Sequence, residues 1–353
     1  MDKMDKLGKN DSKFMMAEQI RAWGRELLSK FPVSQEGADI ILDVLLQSNL
    51  RGIDSHGIIR VIDYAKRLQD TSCGKIEIVK DGKGFTLIDG QNNPGPIVGK
   101  FAMDCAIKKA RERGFGCASV RNSNHFSTAA YYSMMASDNE MIGIVISTAS
   151  PRLAPWGGLD AVIGNNPWSV SLPGYAFHVV LDMANTVVAM GKIRTCLREG
   201  KPLDLGWAMD SEGNPTTDPV AANSGLLMPI GEHKGVVISM IVDLLCGALA
   251  QSAAFSNDVK RVEDSSTPQN SSHIFAAVDF SDLIDATSFK THIKRYSDIV
   301  KSVRRKEGCQ EILLPGEKEW NSLCVRSQHG IPLSHKTIEQ LNTFAKSVGA
   351  AIL

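Results

Sequence analysis

Four stretches of the chain concentrate the residue types that move protons and grip anions. The first is Asp54-Ser55-His56-Gly57-Ile58-Ile59-Arg60-Val61-Ile62-Asp63-Tyr64. Read as a helix from Ser55, it places His56, Arg60 and Tyr64 at i, i+4 and i+8 on one face. A guanidinium there takes a carboxylate through two parallel hydrogen bonds. An imidazole titrating near neutrality passes a proton to a ketone oxygen as hydride reaches the carbon. Together they suit a 2-oxo acid. A surface helix carrying His and Arg by chance has the same spacing, and spacing alone favours that plainer reading.

The second stretch, Asn122-Ser123-Asn124-His125-Phe126-Ser127, follows an apolar strand at 117–120 and precedes a helix at 128–137, with Ser127 as its N-cap. A histidine there feels the positive end of the helix dipole, which lowers its pKa. A neutral imidazole so placed accepts the proton of an alcohol. A loop histidine held by neighbouring backbone is an equal alternative.

The third is a strand at 178–181 ending in Asp182-Met183-Ala184-Asn185-Thr186, ahead of a helix reaching Gly191-Lys192. Asp182 there can orient an imidazole, bind a ribose hydroxyl or cap the helix. The turn Gly164-Asn165-Asn166-Pro167 is rich in backbone donors and either approaches a cofactor or simply reverses the chain. In the fourth, Pro229-Ile230-Gly231-Glu232-His233-Lys234-Gly235, glycines let the backbone come close to a ligand and the helix start favours an anion. Lys234 then neutralises a diphosphate, or is a solvated lysine in a capping loop. Leu314-Pro315-Gly316-Glu317-Lys318 repeats the theme, binding ribose or merely turning the chain.

These segments need elements to hold them. Helical periodicity predicts helices at 17–31 and 34–50, the second capped by Ser34, then weak strands at 76–79 and 84–88 and a helix at 97–113 stopped by Gly114. Short apolar strands follow at 117–120, 141–147, 162–164, 169–172 and 178–182. Their spacing suits a mixed or antiparallel sheet better than a βαβ repeat. A buried helix at 235–250 closes this region, and the polar run 256–272 reads as an exposed excursion. A strand at 273–279, a helix at 288–306, a strand at 311–314 and helices at 317–329 and 336–348 complete the chain. No G-x-G-x-x-G follows a strand. Gly114-Phe115-Gly116 lacks the third glycine and precedes a strand, so a Rossmann fingerprint is absent.

The 353 residues suffice for two or three lobes. With 39 basic and 39 acidic residues, nothing in the charge calls for a nucleic acid or an anionic membrane. A small molecule is the expected partner. Seven scattered cysteines with no C-x-x-C pair argue against a disulfide framework or structural zinc and for a reducing, cytoplasmic setting. The absence of H-E-x-x-H or a Cys/His set predicts no metal, and there is no G-x-S-x-G elbow. The segment 1–14 has no apolar core and does not read as a signal peptide. The apolar run at 236–250 is interrupted by Asp243 and too short to span a bilayer. His178, His292, His329 and His335 show no partner at useful spacing.

In series, "LRGIDSHGIIRVIDY", "VRNSNHFSTAAYY", "ASPRLAPWGG", "GNNPWSVSLP", "LDMANTVVAMGKI", "GWAMDSEGNPTTDP", "GEHKG" and "ILLPGE" resemble the malate/L-lactate dehydrogenase family that is distinct from the Rossmann-type enzymes. Relatives include ureidoglycolate and sulfolactate dehydrogenases, diketogulonate reductase and cyclic-imine carboxylate reductases. The strings run from about residue 50 to 332. The resemblance implies an α/β (α+β) fold with a non-Rossmann NAD(P)-binding domain of largely antiparallel sheet at 91–270. It implies a substrate domain built from 1–90 and 271–353, and a homodimer with the site near the subunit contact.

The family's proton-transfer histidines would fall on His56 and His125, either being the principal acid/base. Ser55, Arg60 and Tyr64 would bind a small carboxylate substrate, malate or lactate by default. NAD or NADP would meet Asp182, Met183, Lys192, His233, Lys234, Gly235, Gly316, Glu317 and Lys318. Three positions depart from the usual pattern: Ser127 in place of a glycine, Asn165 in place of a threonine, and Glu232-His233 in place of a glycine–aromatic pair. Glu232 would repel a diphosphate and is expected to point outward. A nucleotide-binding protein without catalysis is the reading from another class, and the retained His56, Arg60, His125 and Lys234 argue against it.

Overall fold

The structure is a computed structural model that describes residues 12–353 except 71, 72 and 253. The reading of segment 1–14 therefore falls largely outside the described residues. The chain opens with strand β1 (Ser12–Met15), helix α1 (Ala17–Leu28), helix α2 (Gln35–Leu50) and helix α3 (Val61–Asp70). Ser34 caps α2 as expected, its Oγ accepting the Gly37 N–H at 3.1 Å. Strands β2 (Glu77–Asp81) and β3 (Phe85–Asp89) lead into helix α4 (Gly95–Arg113) and strand β4 (Phe115–Ser123). Helix α4 stops at Gly114, whose φ of 77° suits a residue without Cβ.

Helix α5 (Ala129–Asp138) and strands β5 (Ile142–Ser147), β6 (Pro151–Leu153), β7 (Ile163–Gly164), β8 (Trp168–Leu172) and β9 (Val179–Met183) follow. Beyond them lie α6 (Met190–Glu199), a small sheet of β10 (Ala208–Met209), β11 (Pro215–Thr216) and β12 (Leu226–Leu227), and α7 (Pro219–Ser224). Helix α8 (His233–Leu249), strand β13 (Ser271–Val278), helices α9 (Ala286–Ser302) and α10 (Glu317–His329), strand β14 (Ile331–Ser334) and helix α11 (His335–Ser347) complete the fold.

Among the described residues the central sheet has seven strands in the order β2-β3-β4-β13-β5-β8-β9, of which only the β3–β4 pair is parallel. This is the α/β fold with a largely antiparallel, non-Rossmann sheet. Strand β5 shows why one sheet serves two layers. Val145 faces the core beneath α4 and α5, while Ile144 and Ile146 face α8. Close approach requires glycine at Gly143, where a Cβ would sit 2.0 Å from the Ser133 carbonyl oxygen of α5.

A second core joins α1, α2 and α3 to β14 and α11, through Ile20, Leu42, Leu45, Leu46, Ile331 and Leu341. Antiparallel pairing of β1 with β14 ties the ends together, and neither strand announced itself by alternation. The expected boundaries at 90 and 270 fall inside the sheet, because β2 and β3 precede residue 90 and β13 follows 270. No strand forms at 311–314. That run joins no ladder with a neighbouring strand, and the Pro315 carbonyl accepts the Val180 N–H of β9 at 3.1 Å. No helix among the described residues is long and apolar enough to cross a membrane.

Candidate active site

The expected helix through His56, Arg60 and Tyr64 does not form. Two single 3-10 turns, Asp54–His56 and Ile58–Arg60, meet at Gly57, and the α-helix begins only at Val61. The cause is Asn49 at the end of α2. Its Oδ1 accepts the Ile58 N–H at 2.7 Å, and its Nδ2 donates to Asp54 Oδ1 at 2.7 Å. Arg326 of α10 clamps the same Asp54 carboxylate through Nη1 and Nη2, at 2.7 and 3.0 Å. The residues still reach one place, by loop geometry rather than helical repeat.

His125 sits in the connection from β4 to α5. Its backbone N–H donates to Gln269 Oε1 at 2.7 Å, and Nδ1 is 2.9 Å from the Tyr64 hydroxyl. The cap of α5 is Thr128, not Ser127, and its side chain makes no capping bond to the helix, its hydroxyl meeting Ser48 Oγ at 3.3 Å instead. Ser127 adopts a left-handed φ of 69°, so a glycine-type position is filled by serine at a conformational cost of about 1–2 kcal/mol. Its Oγ donates to the His56 carbonyl at 2.7 Å and meets Ser48 Oγ at 3.0 Å. The hydroxyl thus ties the two histidine loops together. Their rings stack at 5.6 Å between centroids, 23° apart.

One cleft of about 310 Å³ contains His56, Arg60 and His125, with Asp182 and Met183 at the end of β9 and Met190 and Gly191 at the start of α6. Arg60 enters it with Nε on the Ser55 carbonyl at 2.9 Å and Nη1 on Asp63 at 3.0 Å, so its plane is held. Burial, then the Arg60 charge, pushes the His56 imidazole down to about 4. His125 is held well below its usual value, first by burial and then by His56 and Arg60. Burial rather than a helix dipole is the leading cause. Asp182 moves the other way, up to about 7 by burial, eased by a hydrogen bond from the Ala130 N–H at 3.2 Å. Near neutrality both imidazoles are uncharged bases.

Other expected residues lie around the cleft rather than on its walls. Tyr64 is buried behind His125, and Ser55 Oγ meets His56 Nδ1 at 2.9 Å. Lys192 lies over the Trp207 ring at 5.3 Å. His233, Lys234 and Gly235 open α8, Glu232 is exposed as expected, and Trp156 packs edge-on to His233 at 6.0 Å. Gly316 abuts Val180 on β9, two residues before Asp182, while Lys318 is exposed. The Glu317 carboxylate accepts the Leu314 N–H at 2.9 Å and pairs with Lys301, which holds its own turn.

Several cleft residues escaped sequence reasoning. The run 256–272 is not an outlying excursion: Val262, Glu263 and Gln269 line the cleft, and Arg67 anchors it by donating to the Asp264 and Thr267 carbonyls at 2.6 and 2.7 Å. His273 also faces the cleft, bonded to Ser147 and Ser123 hydroxyls at 2.8 and 3.0 Å and held down to about 3 by burial. Arg152 and Arg194 complete the wall. His178, read as having no partner, pairs with Asp138 at 2.9 Å.

A family model described as malate/L-lactate dehydrogenase matches residues 15–342. The malate dehydrogenase of Pyrococcus horikoshii is 36% identical over 334 residues, which cover 92% of each chain. A solved structure of malate dehydrogenase from that organism superposes with a TM-score of 0.89 at 33% identity, covering 98% of both chains. The malate/(S)-sulfolactate dehydrogenase of Methanothermus fervidus is 35% identical over 93% of this chain and 96% of its own. Paired imidazoles beside an arginine, a sheet without a Rossmann turn and these likenesses agree: the chain belongs to the malate/L-lactate dehydrogenase family, whose members are dehydrogenases acting on a CH–OH group.

Proposed function

We propose that the protein interconverts a small 2-hydroxy acid and its 2-oxo acid with NAD or NADP, malate or lactate being the default pair. The observation that carries this reading is the meeting of His56, His125 and Arg60 in one cleft with the Asp182-Met183 strand end. The cleft fits a nicotinamide cofactor on its own features. The first turn of α6 has no side-chain cap, and a Cβ at Gly191 would meet nothing nearer than Ser55 Cβ at 3.9 Å. Backbone donors at Met190 and Gly191 are thus open to a phosphate-bearing ligand. When bound, the oxidised nicotinamide supplies the hydride acceptor at its C4.

Arg60 holds the substrate carboxylate. As the C2–H electron pair leaves as hydride, the hydroxyl proton passes to His125 Nε2 and C2=O forms. Tyr64, whose hydroxyl burial keeps neutral, accepts from the Nδ1–H that the ring carries both before and after Nε2 takes the proton, so both charge states of the ring stay bonded and Nε2 is left free as the base. His56, stacked on His125, orients the substrate. Asp182 and Met183 would border the nicotinamide, and Lys192, His233–Gly235 and Gly316–Lys318 would hold the rest of the cofactor. Reduction reverses each transfer. The test is NADH and NADPH consumption with oxaloacetate, pyruvate, sulfopyruvate, diketogulonate and a cyclic imine carboxylate. Turnover of at least one 2-oxo acid is expected, and nucleotide binding without turnover of any would overturn the reading.

We also infer a cytoplasmic homodimer. All seven cysteines are free thiols, as a reducing compartment requires. The outer face of α8, expected to be buried, exposes Val237, Met240, Ile241, Leu244, Leu245 and Leu249, each more than 40% accessible. An uncharged apolar stripe of this length suits a second copy of the same chain. Leu244→Glu is expected to give monomers in sedimentation analysis where the wild type sediments as a dimer. Unchanged sedimentation of the variant would assign the contact to another face.

A further inference from the structure

Arg152 of β6 lines the same cleft, is only 9% exposed and takes no hydrogen bond or ion pair among the described residues. Nothing in the proposed chemistry uses it. Its electrostatic neighbours are Arg261 and Arg194, which repel it, and Glu263, which attracts it. Glu263 is already engaged by Arg194. Arg60 in turn has Asp63. Arg152 is therefore a cation left over in a confined space, and an uncompensated charge there is costly unless a ligand brings the opposite one. Its charge persists at neutral pH, since burial and the two arginines bring it down only to about 10.

The neighbours also say which ligand. Glu263 feels Arg60 as well as Arg194, and Asp63 feels Glu263. Arg152, Arg194, Glu263 and Arg60 all line the one cleft, with Glu263 the acidic group common to the three arginines. Arg152 and Arg194 line the cleft with His56, Arg60 and His125, whereas the lysines assigned to the cofactor, Lys192 and Lys234, do not. A monocarboxylate would occupy Arg60 and leave Arg152 bare.

We propose that Arg152 holds a second acidic group of the substrate, distal to the carboxylate gripped by Arg60, so that the site is built for dianionic 2-oxo and 2-hydroxy acids. This rests on the reading of Arg60 above. The distal group is a carboxylate or a sulfonate, both of which accept two N–H bonds from a guanidinium. Lactate-sized monoanions lack it.

The experiment compares kcat/KM for oxaloacetate, sulfopyruvate and pyruvate in the wild type, Arg152→Gln and Arg152→Lys, with NADH and NADPH titrated separately. Wild type is expected to favour one of the dianions over pyruvate by about a hundredfold or more. Arg152→Gln should erase most of that preference, chiefly through KM, while pyruvate turnover changes far less. Arg152→Lys, which keeps the charge but not the fork, should recover part of it. A preference for the carboxylate or the sulfonate substrate identifies the distal group. Equal losses on all three substrates, or an unchanged dianion-to-pyruvate ratio, overturn the proposal. A loss confined to NADPH also overturns it, moving Arg152 to a cofactor phosphate. If the wild type reduces no 2-oxo acid, the functional reading itself falls, an outcome distinct from activity with an unchanged ratio.

Discussion

His125→Ala is expected to lower kcat by about 10²- to 10⁴-fold in both directions, the range typical of a lost general acid/base. Three observations single this ring out from His56. Its Nδ1 has a buried phenol at 2.9 Å, its backbone N–H is pinned by Gln269 at 2.7 Å, and Phe126, the next residue, stacks on His273 at 4.5 Å. The ring is therefore fixed with Nε2 turned to the cleft, and a proton arriving there is met on the far side by a hydroxyl able to accept. The His56 backbone is held too, by Ser127 Oγ and the Ile53 carbonyl, but its ring bonds only the exposed Ser55 hydroxyl. His56→Ala should accordingly raise KM and cost less in kcat.

The pH profile separates proton transfer from mere support. His125 is held well below its usual value, so the free enzyme carries the base form at neutrality. Kcat/KM for oxidation should then be level from about pH 6.5 upward and fall only in acid. Reduction needs the protonated ring, whose fraction falls about tenfold per pH unit above its pKa, so kcat/KM for the oxo acid should decline steadily as pH rises. In His125→Ala that decline should vanish along with most of the rate. A variant that kept both the slope and wild-type turnover would remove His125 from the proton path.

The sequence exposed the chemistry of the site better than its geometry. His56, Arg60, His125 and Asp182 stand out by residue type where strands and helices end, and the structure brings all four into one cleft. The helix predicted through His56 and Arg60 failed because Asn49, seven residues upstream of His56, captures the Ile58 N–H with its side chain. No periodicity reports such a bond. Ser127 looked like an N-cap because serine usually is one; its left-handed φ is visible only in the resemblance, where glycine is the usual occupant. Polarity of 256–272 correctly suggested average exposure, yet Gln269 within it is 5% exposed and carries the His125 N–H. Arg152 and His273 were hidden for opposite reasons. Arg152 has no sequence neighbour to pair with, and His273 sits in a strand whose apolar run absorbs it. The apolar reading of 311–314 as a strand had no second strand to pair with, which is a property of the fold and not of the segment.

Gly57→Ala tests how the loop positions the chemistry. A Cβ on Gly57 would lie 2.2 Å from Asn49 Oδ1 and 2.3 and 2.4 Å from its Cγ and Nδ2, well inside contact distance. Asn49 cannot swing aside freely, because it is buried and holds both the Ile58 N–H and Asp54. Displacing it leaves a buried donor unmet and loosens the Asp54–Arg326 clamp that fixes the loop to α10. The loss of stability is expected to be about 2–4 kcal/mol, read from the midpoint of urea unfolding with an unchanged m value. Because His56 and Arg60 flank Gly57, even a shift of about 1 Å should lower kcat/KM by about a hundredfold at a temperature where the variant is fully folded. Asn49→Ala opens room for the new methyl, so the double variant should recover part of the clash cost while still lacking the Ile58 bond. If Gly57→Ala alone unfolds like wild type and keeps its kcat/KM, the loop is not held by Asn49, and the placement of Arg60 against the substrate carboxylate would have to arise from α3 instead.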